Sequence, residues 1–282
     1  MKVEKLPATP LLPLLPCAQK TLLTMGNFDG CHLGHQQLIQ TTLALAAQIG
    51  AIPSAMIFSP PPAHYFSNSA PPRLFTPAQQ LRAFHELGIQ TLFIQEFNAA
   101  FASLPYQIFY ERIRDQLGLA GIVVGEDFCF GKKRLGNTEK LETLTKRDHL
   151  HFSTSPCCIS DSEKISSSSI RDLLKKTHAI EKIHKLLGRP YLIEGTARGV
   201  LASNTVSLQP EAQLYPKPGT YRGSCWWGTA HQSPSVMYPD PTLAACTAHI
   251  SPTGSLEVEI EEDISLPAPL PAKWGLYLRS AV

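Results

Sequence analysis

Gly26-Asn27-Phe28-Asp29-Gly30-Cys31-His32-Leu33-Gly34-His35 is the stretch on which the reading of this chain turns. It follows the apolar run Thr21-Leu22-Leu23-Thr24-Met25 and leads into Gln36-Gln37-Leu38-Ile39-Gln40-Thr41-Thr42-Leu43. Strand, glycine-rich turn and helix in that order make the geometry of a phosphate site. Glycines let an anion approach the backbone, and the helix start offers N–H groups and a partial positive charge. His32 and His35 are expected on one side of the first helical turn, where two imidazoles can donate to a phosphate as charge develops on it. Two other readings stay open. The pair has a spacing open to metal ligands, but no third ligand is obvious nearby and metal sites usually need at least three. A glycine-rich turn can also be purely structural.

A second anchor is Ile165-Ser166-Ser167-Ser168-Ser169-Ile170-Arg171, ahead of Asp172-Leu173-Leu174-Lys175-Lys176. Hydroxyls at a helix N-terminus cap it and bind phosphate oxygens. Arg171, about a turn and a half inside, is expected to fork onto the same phosphates. The plain alternative is a serine-rich linker with an ordinary N-cap.

The two segments together resemble the HxGH nucleotidyltransferases, and in detail the prokaryotic bifunctional riboflavin kinase/FMN adenylyltransferases, also called FAD synthetases. Gly26 to Gly30 with His32-Leu33-Gly34-His35 resembles that family's first ATP motif. Val123-Val124-Gly125-Glu126-Asp127-Phe128-Cys129-Phe130-Gly131, then Gly136, resembles its flavin-side motif. Ile165 to Arg171 resembles its Ile-Ser-Ser-Thr-x-Ile-Arg segment, with Ser168 in place of Thr, and Leu187-Gly188-Arg189-Pro190-Tyr191 resembles the junction to its kinase module.

The resemblance implies ATP and FMN as substrates and FAD as product. His32, His35 and Arg171 take the catalytic positions. Gly26, Asn27, Phe28, Asp29, Gly34, Ser166, Ser167 and Ser168 take ATP-binding positions, and Asp127 and Phe128 the flavin-side positions. Mg²⁺ is implied with ATP, but its protein ligands are unknown; Asp29 is a candidate and reads better as a turn-former. Phe58-Ser59-Pro60-Pro61-Pro62 departs from the family's Pro-His-Pro, with His64 nearby as a compensating residue. The Asp127-Phe128 segment disfavours an HxGH transferase for pantetheine, nicotinate or glycerol phosphate. The lack of a Lys-Met-Ser-Lys-Ser segment disfavours an aminoacyl-tRNA synthetase.

Composition agrees with this reading. The 282 residues suffice for one large or two ordinary domains, and 43% hydrophobic content supports a core. A net charge of +2 gives no nucleic-acid footprint, and Lys132-Lys133-Arg134 is a short basic run, read as a solvated loop or a triphosphate contact. The seven cysteines (17, 31, 129, 157, 158, 225, 246) show no Cys-x-x-Cys spacing and read as thiols in a reducing cytosol. The apolar start Pro10-Leu11-Leu12-Pro13-Leu14-Leu15-Pro16 is broken by prolines and too short to span a bilayer. A cytoplasmic protein with no membrane or nucleic-acid partner is expected; the oligomeric state is unknown.

Strand and helix patterns alternate to about residue 185. Strands are expected at 51–58, 91–94 and 121–124. One helix is expected from Thr76 as N-cap to Gly88, and another from Pro105 to Leu117 with Gly118 closing it. Such alternation implies a mostly parallel sheet with ligands at the carboxyl ends of its strands. After Tyr191 short β-like pieces follow: 191–195, 219–223 and 256–260. The fold class is therefore α/β: a Rossmann-like parallel-sheet nucleotidyltransferase domain (1–186), then a small riboflavin-kinase-like all-β barrel (187–282).

The barrel departs from the family. Its Gly-Phe-Pro-Thr-Ala-Asn signature is best matched by Ala202-Ser203-Asn204-Thr205-Val206-Ser207, and the segment 243–250, around His249, lacks a carboxylate base. Glu257 and Glu259 read as the solvent face of a strand. Loss of kinase activity is expected, leaving a monofunctional FAD synthetase. A fully bifunctional enzyme and a non-catalytic flavin-binding protein are the alternatives. Trp226-Trp227 reads as core or, alternatively, as a platform for an isoalloxazine.

Overall fold

The computed structural model describes residues 1–7, 20–67, 70–160, 163–228, 235–237, 243–261, 266, 270–271 and 273–282; the proline-broken run 10–16 and Cys17 lie outside them. The elements in chain order are β1 (Lys2–Leu6), β2 (Thr21–Met25), α1 (Leu33–Ile49), β3 (Ile52–Ser59), α2 (Pro62–Phe66), α3 (Pro77–Glu86), β4 (Thr91–Glu96), α4 (Ala99–Ala102), α5 (Tyr106–Leu117), β5 (Leu119–Gly125), α6 (Thr138–Arg147), β6 (His151–Ser155), β7 (Ile159–Ser160) and β8 (Glu163–Lys164). They continue with α7 (Ser167–Lys176), α8 (Ile180–Leu187), β9 (Tyr191–Ala202), β10 (Thr205–Pro210), β11 (Gly219–Gly228), β12 (Ala244–Ile250), β13 (Leu256–Ile260) and β14 (Lys273–Ala281). Two compact units result. The first comprises Met1–Phe28, Gly34–Pro71 and Leu87–Lys164; the second comprises Asp29–Leu33, Pro72–Glu86 and Ile165–Val282.

The first unit is built on a six-stranded parallel sheet of order β1-β4-β3-β2-β5-β6. All five residues of β2 are buried, as a central strand covered on both faces requires. From β2 the chain adds β3 and β4 on one side, then returns to place β5 and β6 on the other. The direction of winding reverses between β2 and β5, so a crevice opens at their carboxyl ends. Thr24 pairs with Val123 across these strands, and the turns beginning at Gly26 and Gly125 leave the sheet side by side. The core beneath joins Leu23, Met25, Met56 and Ile122 to Phe101, Phe109, Tyr110 and Leu141. As expected, α5 closes at Gly118 in the left-handed conformation (φ 57°).

The second unit carries a closed antiparallel barrel, β10-β13-β12-β11-β14-β9. Strand β13 alternates: Leu256, Val258 and Ile260 are buried while Glu257 and Glu259 point outward. Helix α8 buries Ile180, Ile183, Leu186 and Leu187 and packs on β9 and β14. Helix α3 starts at its expected cap, with Gln79 N donating to Thr76 Oγ1 at 3.1 Å. Farther along, Arg82 pairs with the buried Glu194 at 2.6 Å, and Glu86 accepts from the N–H groups of Val236 (3.0 Å) and Met237 (2.8 Å). Trp227 stacks on the fully buried Trp274 with ring centroids 5.0 Å apart. Trp226 and Trp227 are themselves half-buried. No disulfide joins the described cysteines, and no helix among the described residues is long and apolar enough to cross a membrane.

Gly121 lets β5 and β6 approach, since a Cβ there would meet His151 O at 2.6 Å. Replacing it by Ala pushes against backbone rather than a flexible side chain. Gly121→Ala is expected to destabilise the first unit by about 2 kcal/mol, read as a lowered urea midpoint.

Candidate active site

The glycine–histidine turn divides between the units, Asp29–Leu33 belonging to the second. Within that unit Asp29 is its anchor. Its buried carboxylate accepts from the backbone N–H of Leu74 (3.0 Å to each oxygen) and from that of Phe75 (3.0 Å). Arg171 Nη2 donates to Oδ2 at 2.5 Å, and Ser167 Oγ donates to the Asp29 carbonyl at 2.8 Å. Arg171 Nε donates to Pro72 O at 2.9 Å. Within the second unit, the Asp29–Leu33 part of the turn and the Ser166–Arg171 helix start are therefore tied together through Asp29.

The turn is sharply bent. Phe28 (φ 49°) and Cys31 (φ 42°) adopt left-handed backbone conformations on either side of Gly30 (φ 76°). Such conformations cost non-glycine residues of order 1–2 kcal/mol each. They persist only where surrounding contacts over-determine them, and they gather at functional sites. Burial pushes the Cys31 thiol up to about 12, so it stays neutral. His32 is buried and directly precedes α1 rather than sitting inside its first turn. The His35 ring lies 5.2 Å from that of Phe28.

At the start of α7 the serines divide their work. Ser166 is the N-cap: its Oγ accepts from Ser169 N (3.1 Å), and Ser169 Oγ accepts from Ser166 N (3.2 Å), a reciprocal capping box. Ser169 was missed as a functional position, although the Ser-x-x-Ser spacing was there to read. Ser168 is exposed on the first turn. Asp29, with three donors on its carboxylate, does not fit the metal-ligand role considered from the sequence. Among the described residues no group of three or more His, Cys, Asp or Glu side chains is placed to hold a metal.

In the first unit, the turn after β5 carries Asp127 and Phe128. Asp127 pairs with Lys164 at 2.5 Å. The hydrogen bond from Lys164, chiefly, holds the Asp127 carboxyl below its ordinary range. Glu126 Oε1 accepts from Cys157 N at 3.1 Å. Phe128 stacks on Phe130 (5.6 Å, 19°). From Phe130 a chain of aromatic contacts runs through Phe109, Phe101 and Phe97 to Tyr65 and Phe66. Sequence reading missed this chain because its members come from five segments. Several of them sit at or just beyond the carboxyl ends of β3, β4 and β5. His64, the suggested substitute for the family's histidine, has Nε2 3.0 Å from Pro71 O.

On the barrel, Thr205 of β10 lies directly across from Glu259 of β13. Asn204 Nδ2 donates to Glu259 Oε1 (3.4 Å), and Thr205 Oγ1 donates to Asn204 Oδ1 (3.2 Å). A search along the strand finds no carboxylate beside Thr205; the cross-strand register supplies one. His249 Nδ1 and Thr220 Oγ1 lie 3.1 Å apart.

The Asp127–Lys164 pair makes a titration testable. A carboxyl held below the ordinary carboxylate value lends its stabilisation above that value and loses it as pH falls through the lower, folded value. Lys164→Met is expected to move the Asp127 carboxyl titration, followed by carbon-detected NMR, back up toward the ordinary value.

A sequence model described as FAD synthetase matches residues 15–169. The bifunctional riboflavin kinase/FMN adenylyltransferase of Buchnera aphidicola is 32% identical over 176 residues, covering 61% of this chain and 56% of that protein. Its namesake from Bacillus subtilis is 33% identical over 191 residues, covering 62% and 56%. The match thus spans little more than half the length of these two relatives. The FAD synthetase of Listeria monocytogenes is 30% identical over 207 residues, covering 73% and 81%. Among solved structures, one described as a macrolide-efflux protein from Streptococcus pneumoniae superposes with a TM-score of 0.80 at 20% identity, covering 99% of this chain and 91% of that one; the likeness is one of fold. With the glycine–histidine turn, the serine-rich helix start and the Asp127 turn all lying within the matched residues, this chain belongs to the FAD synthetase family.

Proposed function

We propose that this chain transfers the adenylyl group of ATP to the phosphate of FMN, giving FAD and pyrophosphate. The observation that carries the reading is the Asp29 junction, which joins the glycine–histidine turn to the helix start bearing Ser167 and Arg171. In the reaction a phosphate oxygen of FMN forms a bond to the α-phosphorus in line, while the bond from that phosphorus to the β-phosphate bridge breaks. Catalysis of this kind rests on positioning and charge neutralisation. His32 and His35 are assigned to stabilising charge on the α-phosphoryl group and the leaving oxygens. Ser168, the α7 N–H groups and the Arg171 guanidinium are assigned to the β- and γ-phosphates. Ser166 and Ser167 act by holding the helix start and the turn in place. Asp127 and Phe128 belong to the flavin side, where the aromatic chain favours a planar ring system. Mg²⁺ would be carried by the triphosphate, supplying further charge neutralisation; no protein ligand is assigned to it.

For the barrel (187–282), two observations favour riboflavin kinase activity over the loss expected from the sequence. Relatives such as those from Buchnera aphidicola and Bacillus subtilis are named for both activities, and Asn204, Thr205 and Glu259 cluster on one outward face. In that reading Glu259 takes the proton of the riboflavin hydroxyl as its oxygen bonds to the γ-phosphorus and ADP leaves.

Product analysis with Mg-ATP tests both readings, with FMN and riboflavin supplied separately. FAD from FMN is expected, and His35→Ala is expected to lower its rate by about 10²- to 10³-fold. FMN from riboflavin is expected too, with Glu259→Gln lowering that rate by about 10²- to 10⁴-fold while FAD formation from FMN persists. No FAD from FMN overturns adenylyl transfer in favour of another HxGH substrate or a flavin-binding role. No FMN from riboflavin returns the barrel to the role of a scaffold.

A further inference from the structure

Arg189 is a buried guanidinium at the start of the barrel segment, 4% exposed. Its hydrogen bonds go to carbonyls, not to a carboxylate: Nη2 donates to Gly30 O at 2.8 Å and Nη1 to Pro190 O at 3.0 Å. Its Nε is buried with no hydrogen-bond partner among the described residues, and its Cζ lies over the Phe75 ring, 4.6 Å from the centroid. Burial lowers its pKa to about 10, so it remains a cation at neutral pH. Taking an arginine out of water for two carbonyls is costly when the chain only needs to be held together. Packing at the same junction is already supplied by Tyr191, whose hydroxyl donates to Leu214 O (2.7 Å) and Leu74 O (3.1 Å).

The carbonyl that Arg189 grips is informative. Gly30 lies between Asp29, the anchor of the turn, and the left-handed Cys31 that immediately precedes His32. Asp29 fixes one side of this bend through Leu74, Phe75 and Arg171, and Arg189 fixes the other. With the Gly30 carbonyl turned to the guanidinium, the peptide N–H of Cys31 is turned the opposite way, because the two belong to one planar unit. The orientation of the chain entering His32 follows. A buried cation beside this turn also adds positive potential, which low-dielectric surroundings screen weakly.

The geometry points to Arg189 as a positioning residue for adenylyl transfer: it sets the Gly30–Cys31 peptide, and with it His32, for charge stabilisation at the phosphoryl group. This rests on the adenylyltransferase reading above. A guanidinium serves both carbonyls and the Phe75 face at once; an ammonium keeps the charge but lacks the planar fork, and methionine keeps only bulk.

The test uses the full chain. Rates of FAD formation from FMN and Mg-ATP are measured for wild type, Arg189→Lys, Arg189→Met and, as a stability control outside the turn, Tyr215→Phe, which removes a hydroxyl hydrogen bond to Glu211 O. Arg189→Met is expected to lower kcat by about 100-fold, the penalty of a displaced catalytic group, with KM for ATP changed by less than about 3-fold. Arg189→Lys should recover part of that loss, and Tyr215→Phe should lower Tm while leaving kcat intact. An unchanged kcat in Arg189→Met, or a rise in KM alone, overturns the inference. So does a kcat loss that Tyr215→Phe reproduces at equal loss of Tm. Should Arg189→Met fail to fold, folded Arg189→Lys decides: a lowered kcat at unchanged KM supports the role, and wild-type kinetics overturn it. Absence of FAD from the wild-type chain overturns the underlying reading and this inference with it, whereas an active wild type with indifferent Arg189 variants overturns this inference alone.

Discussion

A carboxylate taken out of water must be surrounded by donors, and Asp29 meets that requirement with two backbone N–H groups and one guanidinium. The donors come from two stretches of chain remote from Asp29 in sequence, so satisfying one charge fixes, within the second unit, the mutual position of the Asp29–Leu33 part of the turn, the 72–75 segment and α7. Removing the carboxylate would leave two amides and a largely buried arginine wanting partners, which costs several kcal/mol rather than the value of one hydrogen bond. The turn tolerates left-handed backbone at Phe28 and Cys31 because these contacts hold it there. Strain in the turn and satisfaction of the carboxylate are two sides of one arrangement.

The two units solve the burial problem differently, and this decides where chemistry can occur. In the parallel sheet the central strands are buried throughout, so their side chains are committed to the core. Function is pushed to the strand ends, at the reversal between β2 and β5. In the barrel β10, β12 and β13 alternate, with every second side chain more exposed, while β9 and β14 each hold a run of five buried residues. Polar side chains there become neighbours across the strands, as the Thr205–Glu259 pairing illustrates. Arg189 and Tyr191, at the entry to β9, also reach the turn and the 72–75 segment within the second unit, so the residues opening the barrel brace that part of the glycine–histidine turn.

The sequence by itself determined the local features. Helix starts and stops at Thr76, Pro77 and Gly118, the buried strands of the parallel sheet, the alternation at 256–260 and the serine cap of α7 all follow from dihedral preference, capping and periodicity, which act over a few residues. The glycine–histidine turn and the serine-rich helix start were legible as local shapes for the same reason, since each lies within one short stretch. Tertiary structure alone decided what joined distant segments. It made Asp29 the common partner of Leu74, Phe75 and Arg171, assembled the aromatic chain from five segments, set Glu259 across from Thr205 and brought the Arg189 guanidinium to the Gly30 carbonyl. The physical reason is that such contacts depend on strand register and on where a buried charge finds its donors. Those quantities are fixed by packing of the whole chain and leave no periodic trace in any one part of it.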